Sequence, residues 1–419
     1  MKSKILNFIL VALIVVLALY VGWAQSYTML LIYYCVREGR KQSHFLNPFY
    51  LLILTLFSFV IYNEDIGGIF MMPLSNKVKW MIVGSFTMFV VGLKIGTRFK
   101  TCAKRVGCYV ENYWVIFCVG LIPTLLAVYL YGNVLDMSGD AMMDAKEKMV
   151  LPGLGQLLYF MPASIIVACK KNNSSLIILS TIVALWAAYL TVTKTAIMVV
   201  MVFLLLGLIS FRPSIIENKV AKFLRSYAVV LVPLFLLYTF MGNTTKRLDA
   251  TNVSTDTIEN AESSLDYDSD FANGMFTNYL YLSAAWSNVE YNVAHNNVTG
   301  DGRNTLWQFA RKVGIDYDKT EKMEPFNFNV HTYITDWYLD FGYFGPIVMS
   351  LFLGMFVFFC YKKFCLSDDP LYIAFYALVA EATLMMFFSN HFNGGAVLNY
   401  FITFIGYSFF ARNFKKTIL

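Results

Sequence analysis

His331 opens a dense polar stretch, Asn329-Val330-His331-Thr332-Tyr333-Ile334-Thr335-Asp336-Trp337-Tyr338-Leu339-Asp340-Phe341-Gly342-Tyr343-Phe344-Gly345-Pro346. An unperturbed imidazole titrates near pH 6.5, so it can take the proton from an attacking hydroxyl at neutral pH. Asp336 and Asp340 are alternative bases, or carboxylates that orient the imidazole. The plainer reading makes His331 a satisfied interfacial histidine, and Gly342 and Gly345 packing glycines at a helix start. A second set is cationic. Arg247, Arg303 and Arg311 are cations of an otherwise acidic outer loop, joined by Lys194 at the outer end of an apolar run. A guanidinium fork matches phosphate oxygens, so these residues suit a diphosphate leaving group. Each also reads as a solvated or salt-bridged surface cation. Lys194 differs, because in Thr191-Val192-Thr193-Lys194-Thr195-Ala196 it sits between two apolar runs, where an unused charge is costly. Gly300-Asp301-Gly302-Arg303 reads as a tight turn presenting its arginine.

Other groups carry weaker signals. Asp266, Asp268 and Asp270, with Asp316 and Asp318, could offer oxygen ligands to a divalent cation. No EF-hand glycine or closing glutamate follows in register, so the favoured reading is a solvated acidic stretch and no metal site. Cys102 and Cys108 lack a nearby histidine, and no cysteine lies in a large outer loop, so neither zinc nor an external disulfide framework is expected. His391 belongs to a loop that could share a cavity with His331. Glu381 lies near the middle of an apolar run, as a proton site or as the partner of a neighbouring hydroxyl. No glycine-rich phosphate loop or nucleotide motif is present, so no cofactor is expected.

The elements that must hold these residues are membrane helices. Of 419 residues, 58% are apolar and only 14% charged, with a mean hydropathy of +0.57. Soluble chains carry about a quarter charged residues. The composition argues against a soluble two-domain enzyme and a disordered chain. It also argues against nucleic acid as a partner despite a net charge of +6. Twelve segments suit bilayer crossing: Ile5–Tyr20, Val21–Val36, Pro48–Tyr62, Trp80–Ile95, Tyr113–Tyr131, Leu154–Cys169, Leu176–Thr193, Ala196–Phe211, Tyr227–Met241, Trp337–Tyr361, Leu371–Phe388 and Ala396–Phe410. The fold class expected is therefore all-α, a polytopic helical membrane protein. Residues 1–241 hold nine spans, 242–330 form a large outer loop, and 331–419 hold three more.

Basic residues flank both ends of Ile5–Val36, so that run is expected to be a hairpin turning near Gln25. With both termini in the cytoplasm, the inner segments hold 21 Lys/Arg against 5 Asp/Glu, and the outer segments 12 against 21. That asymmetry follows the positive-inside rule. Within the outer loop, Phe271, Met275, Tyr279, Leu282, Trp286 and Val289 recur at helical spacing. This face either packs on the loop or bundle, or lies at the membrane interface beside a lipid substrate.

His331, Thr332, Asp340, Gly342 and Gly345 resemble the signature that closes the large periplasmic loop in the O-antigen polymerase and ligase superfamily. There a polar cluster, an acidic residue and G-x-x-G precede a span. Thr193-Lys194-Thr195-Ala196 is similar to that family's short break between two spans, with Lys where Arg is common. The resemblance implies a Wzy-type membrane glycosyltransferase in the inner membrane. Its substrates would be undecaprenyl-pyrophosphate-linked glycans, polymerised on the outer face of the bilayer, with a chain-length regulator as a further partner. His331, Asp340 and Asp336 would then serve the catalytic step, and Lys194, Arg247, Arg303 and Arg311 would bind pyrophosphate. A lipid A-core O-antigen ligase is the alternative within enzymes, and a lipid-linked oligosaccharide flippase the alternative outside them. The concentration of polar groups on the outer face favours chemistry there over transport. The absence of an internal sequence repeat points the same way.

Overall fold

The computed structural model describes residues 22–67, 71–99, 112–131, 160–190, 194–211, 270–306, 320, 331–392 and 397. Among the described residues the fold is all-α, without a strand. In chain order the helices are α1 (Trp23–Gly39), α2 (Pro48–Val60), α3 (Asn76–Arg98), α4 (Tyr113–Tyr131), α5 (Phe160–Lys170) and α6 (Ser174–Leu190). They continue with α7 (Lys194–Phe211), α8 (Asp270–His295), α9 (Tyr333–Phe341), α10 (Gly345–Cys365) and α11 (Pro370–Leu384). Two compact units divide the chain. The first takes Met1–Lys100, Glu259–Tyr361 and Ala382–Gly395; the second takes Thr101–Ile258, Lys362–Glu381 and Ala396–Leu419.

In the first unit, local chemistry sets the helix starts. Gly22, at φ +97°, precedes α1, which starts at Trp23; residues 5–21 of the expected Ile5–Val36 hairpin lie outside the described residues. Pro48 opens α2, where a missing N–H costs nothing, and the Asn47 side chain caps the helix by accepting from the Tyr50 N–H. Ser75 caps α3 by accepting from the Val78 N–H. Helices α1 and α3 run parallel. Trp23 lies on Trp80 with ring centroids 4.4 Å apart, the Thr87 hydroxyl donates to that of Tyr27, and Glu38 binds both Lys41 and Lys94.

Helices α3 and α10 run parallel along a seam of small residues. A side chain on Gly92 would strike the Leu351 carbonyl, one on Gly354 the Phe89 carbonyl, and one on Gly96 the Phe358 side chain. Such close backbone approach is how membrane helices gain packing where lipid removes the hydrophobic incentive.

Helix α8 is inserted among these elements. Trp286 is fully buried between Phe59 and Phe86, with centroids 5.3 and 5.4 Å away, and its indole N–H donates to the Ser58 hydroxyl at 3.2 Å. Leu282 and Val289 are buried too, so this face packs on the bundle. Ser283, Ser287 and Asn288 are buried as well, and apolar spacing did not reveal that. The Ser287 hydroxyl accepts from the Met72 N–H, and Glu290 accepts from the N–H and hydroxyl of Ser75. Phe271, Met275, Asp266 and Asp268 lie outside what is described of side chains or backbone, as do Asp316 and Asp318.

In the second unit α5 is buried from Phe160 through Cys169. Gly120 of α4 admits the Met161 backbone, and Gly207 of α7 packs on Cys169 and Ile166. The Tyr113 hydroxyl lies 2.8 Å from that of Ser180, joining α4 to α6. Glu381, in α11, is buried.

Three described stretches are long and apolar enough to cross a membrane: Asn76–Arg98, Tyr333–Cys365 and Pro370–Phe387. Five shorter apolar helices accompany them. At 23 residues, α3 is about 34 Å long, against a hydrocarbon core of about 30 Å. Large apolar side chains such as Trp80, Ile122, Ile182 and Phe352 stay exposed on helix surfaces, as lipid contact requires. The expected span Trp337–Tyr361 proves to be two pieces. Helix α9 starts earlier, at Tyr333, and a 3₁₀ turn at Gly342–Phe344 separates it from α10. Residues of Ile5–Tyr20 and Tyr227–Met241, and most of Ala396–Phe410, lie outside the described residues.

Candidate functional site

The candidate site is built on α9 in the first unit. Every residue from Tyr333 to Asp340 is buried, Asp336 among them at 3% exposure. Thr332 precedes the helix in an extended conformation, and His331 before it is 8% exposed. Two bonds pin this start. The His331 main-chain N–H donates to the Phe388 carbonyl at 3.0 Å, and the Asn390 side-chain amide donates to the Tyr333 carbonyl at 3.1 Å. The chain beyond the 3₁₀ turn Met385–Phe387 therefore folds back onto His331. His391 belongs to that same turn, its N–H donating to the Ser389 carbonyl.

The far end of α9 is closed by two glycines and a distant segment. Gly342 takes φ +66°, and its N–H returns to the Tyr338 carbonyl. A Cβ at Gly345 would clash with the Trp337 carbonyl, so only glycine lets α10 begin there. The orphan carbonyls of a helix end need donors. Thr299 supplies its N–H to the Leu339 carbonyl, and Gly300 its N–H to that of Asp340, both at 2.8 Å.

The Asp340 carboxylate grips the same segment. It is fully buried, and Oδ1 accepts from the Asn304 N–H and the Asn304 side-chain amide, each at 2.8 Å, and from the Thr299 hydroxyl at 3.4 Å. Oδ2 accepts from the Thr305 N–H at 2.6 Å. Both oxygens are thus engaged by donors. Asn304 in turn exchanges bonds with the Thr320 N–H and hydroxyl at 3.0 and 3.1 Å.

Arg303 lies directly before this anchored pair. Gly300 and Gly302 both take φ +75°, and the turn between them projects Asp301 and Arg303 together. The Arg303 main-chain N–H donates to Asp301 Oδ1 at 3.1 Å and its Nε donates to Oδ2 at 2.8 Å. The Arg303 hydrogen bonds hold the Asp301 carboxyl down at about 2, so the pair stays ionised at any physiological pH. About a third of the Arg303 side chain remains exposed. Val298, Leu306, Phe341 and Phe344 are exposed apolar neighbours in this region. Gly302 faces Leu306 and Phe341, and Gly342 faces Val298.

The structure therefore joins Arg303 to Asp340 and puts Asp336 and His331 on the same short element. Asp340 lies seven residues past Tyr333, or about 10 Å along α9, while His331 precedes the helix. The Asp340 oxygens accept from the 299–305 segment at the opposite end of the helix. Lys194 is the first residue of α7, in the second unit, and its side chain lies outside the described residues. Arg247 and Arg311 also lie outside them. Asn304, Thr305, Thr299 and Asn390 escaped the sequence reading. Their partners are 35 to 57 residues away, and no local spacing signals such pairs. Among the described residues no group of histidine, cysteine and carboxylate side chains is placed to hold a metal ion. No family model, curated protein or solved structure matches the chain.

Proposed function

We propose that the chain is a membrane glycosyltransferase that polymerises undecaprenyl-pyrophosphate-linked oligosaccharide repeat units into O-antigen or a related polysaccharide. One observation carries this reading: the turn bearing Arg303 is stapled to the far end of the helix that follows His331 and Thr332, beside helices apolar enough to cross a membrane. A cation and an imidazole on one rigid element suit a substrate with an anionic diphosphate at one end and a reacting hydroxyl near it. The working arrangement has twelve spans, both termini cytoplasmic and residues 242–330 on the outer face of the inner membrane. The charge asymmetry of the loops supports it.

The chemistry then runs in one displacement. The acceptor hydroxyl attacks the anomeric carbon, and the bond from that carbon to the phosphate oxygen breaks. His331 takes the hydroxyl proton, with Asp336 as the alternative acceptor. Negative charge grows on the departing lipid diphosphate, and Arg303, with Arg247, Arg311 and Lys194, stabilises it. The pyrophosphate linkage already carries the driving force, so no nucleotide is consumed. A chain-length regulator is the protein partner this role implies.

The test is glycan length on lipopolysaccharide after deletion of the gene. A single repeat unit on the core supports a polymerase. Bare core points instead to a ligase or a flippase, and unchanged chain lengths reject all three.

A further inference from the structure

Resting on the reading above, we infer that Asp340 is a positioning residue, whose carboxylate sets the Arg303 turn in place to receive the lipid diphosphate. The carboxylate is fully buried and accepts from four groups, all on the segment 299–305. Two of these donors are the main-chain N–H groups of Asn304 and Thr305, immediately after Arg303. The Asp340 carbonyl holds the same segment through the Gly300 N–H. Arg303 is thus clamped on both sides of its own position, from a helix 36 residues away in sequence.

The site demands an acceptor on both oxygens. An asparagine would turn an amide N–H toward the Asn304 or Thr305 N–H, leaving a buried donor unmet. Both carboxylate oxygens already accept from this segment. Asp340 touches neither the reacting hydroxyl nor the diphosphate in this scheme, and acts through Arg303. Fixing a guanidinium before the ligand arrives spares the ordering cost at binding. Gly300 and Gly302 flank Asp301 at positive φ; Asp301 holds the guanidinium, and the Asp340 anchor fixes the main chain that follows it.

The test measures binding of farnesyl diphosphate to the purified full-length protein in detergent micelles, alongside polymerisation kinetics. Arg303→Ala should weaken binding about tenfold or more, the usual scale of a charge-assisted contact. Asp340→Asn should weaken it by a similar factor. The double variant Arg303→Ala/Asp340→Asn should bind no more weakly than Arg303→Ala alone. In polymerisation, Asp340→Asn should raise KM for the lipid-linked donor and leave the limbs of the pH profile in place. Asn304→Ala keeps the Asp340 charge and the main-chain donor. It should show a smaller loss in the same direction, and it serves if Asp340→Asn does not fold. Additive losses in the double variant would overturn the inference, as would loss of a pH limb. So would Asp340→Asn and Asn304→Ala proteins that bind like wild type while Arg303→Ala does not; in that case the diphosphate clamp itself survives. If wild type fails to bind the probe, both the inference and the proposed clamp fall.

Discussion

The main-chain N–H of His331 donates to the carbonyl of Phe388 at 3.0 Å, tying the start of α9 to the turn that follows α11. Because this anchor uses only backbone atoms, exchanging the His331 side chain leaves it intact. That main-chain bond survives removal of the imidazole.

His331→Ala should accumulate single-unit glycans while the purified protein melts close to wild type. General base assistance is worth roughly 10²–10⁴ in rate, and a loss on that scale is expected. His331→Gln keeps hydrogen bonding and cannot take up the proton, so it should be nearly as poor. Wild-type chain lengths in the Gln variant would reduce His331 to a residue that positions the acceptor and would bring Asp336 forward as base.

Replacing Arg247, Arg303 or Lys194 with Ala should shorten the glycan while membrane levels of the protein stay normal. Arg303→Lys should rescue poorly, since a point charge does not reproduce the fork whose two N–H groups now meet Asp301 Oδ2. Gel profiles of lipopolysaccharide from each strain decide it. Full activity in all three Ala variants would reject the diphosphate assignment.

Trp286→Ala should destabilise the first unit by about 3–5 kcal/mol, the range for emptying a large aromatic site. The indole is fully buried against Phe59 and Phe86. Trp286→Phe keeps most of that area and loses only the bond to Ser58, so it should cost about 1 kcal/mol. Thermal unfolding of the detergent-solubilised protein reads both. Equal melting temperatures for the two variants would mean that the ring packing contributes little.

Reporter fusions should place residue 270 outside the cytoplasm and Lys41 and Arg98 within it. A fusion at residue 270 that reports a cytoplasmic location would remove the outer-face reaction along with the topology.

Much of the architecture is local and so legible in the sequence. Helix α4 occupies Tyr113–Tyr131, the segment its apolar run marks out, and α8 covers the stretch whose apolar residues recur at helical spacing. Composition alone points to a bilayer, because backbone polar groups in lipid must be satisfied within each helix. Caps such as Asn47-Pro48 act over a few residues and can be read there too.

The site depended on contacts that no local pattern encodes. Gly342 and Gly345 were visible as glycines, but the turn that splits α9 from α10 comes from Gly342's positive φ and the space under the Trp337 carbonyl. Asp340 looked like one of three possible proton acceptors until Asn304 and Thr305 came to rest on its oxygens. Ser283, Ser287 and Asn288 of α8 are buried, which the spacing of its apolar residues does not signal. Helix formation is governed by neighbours one turn away, so sequence determines it. A buried carboxylate acquires its role from whichever donors the folded chain brings within 3 Å, and here those lie 35 and 36 residues upstream.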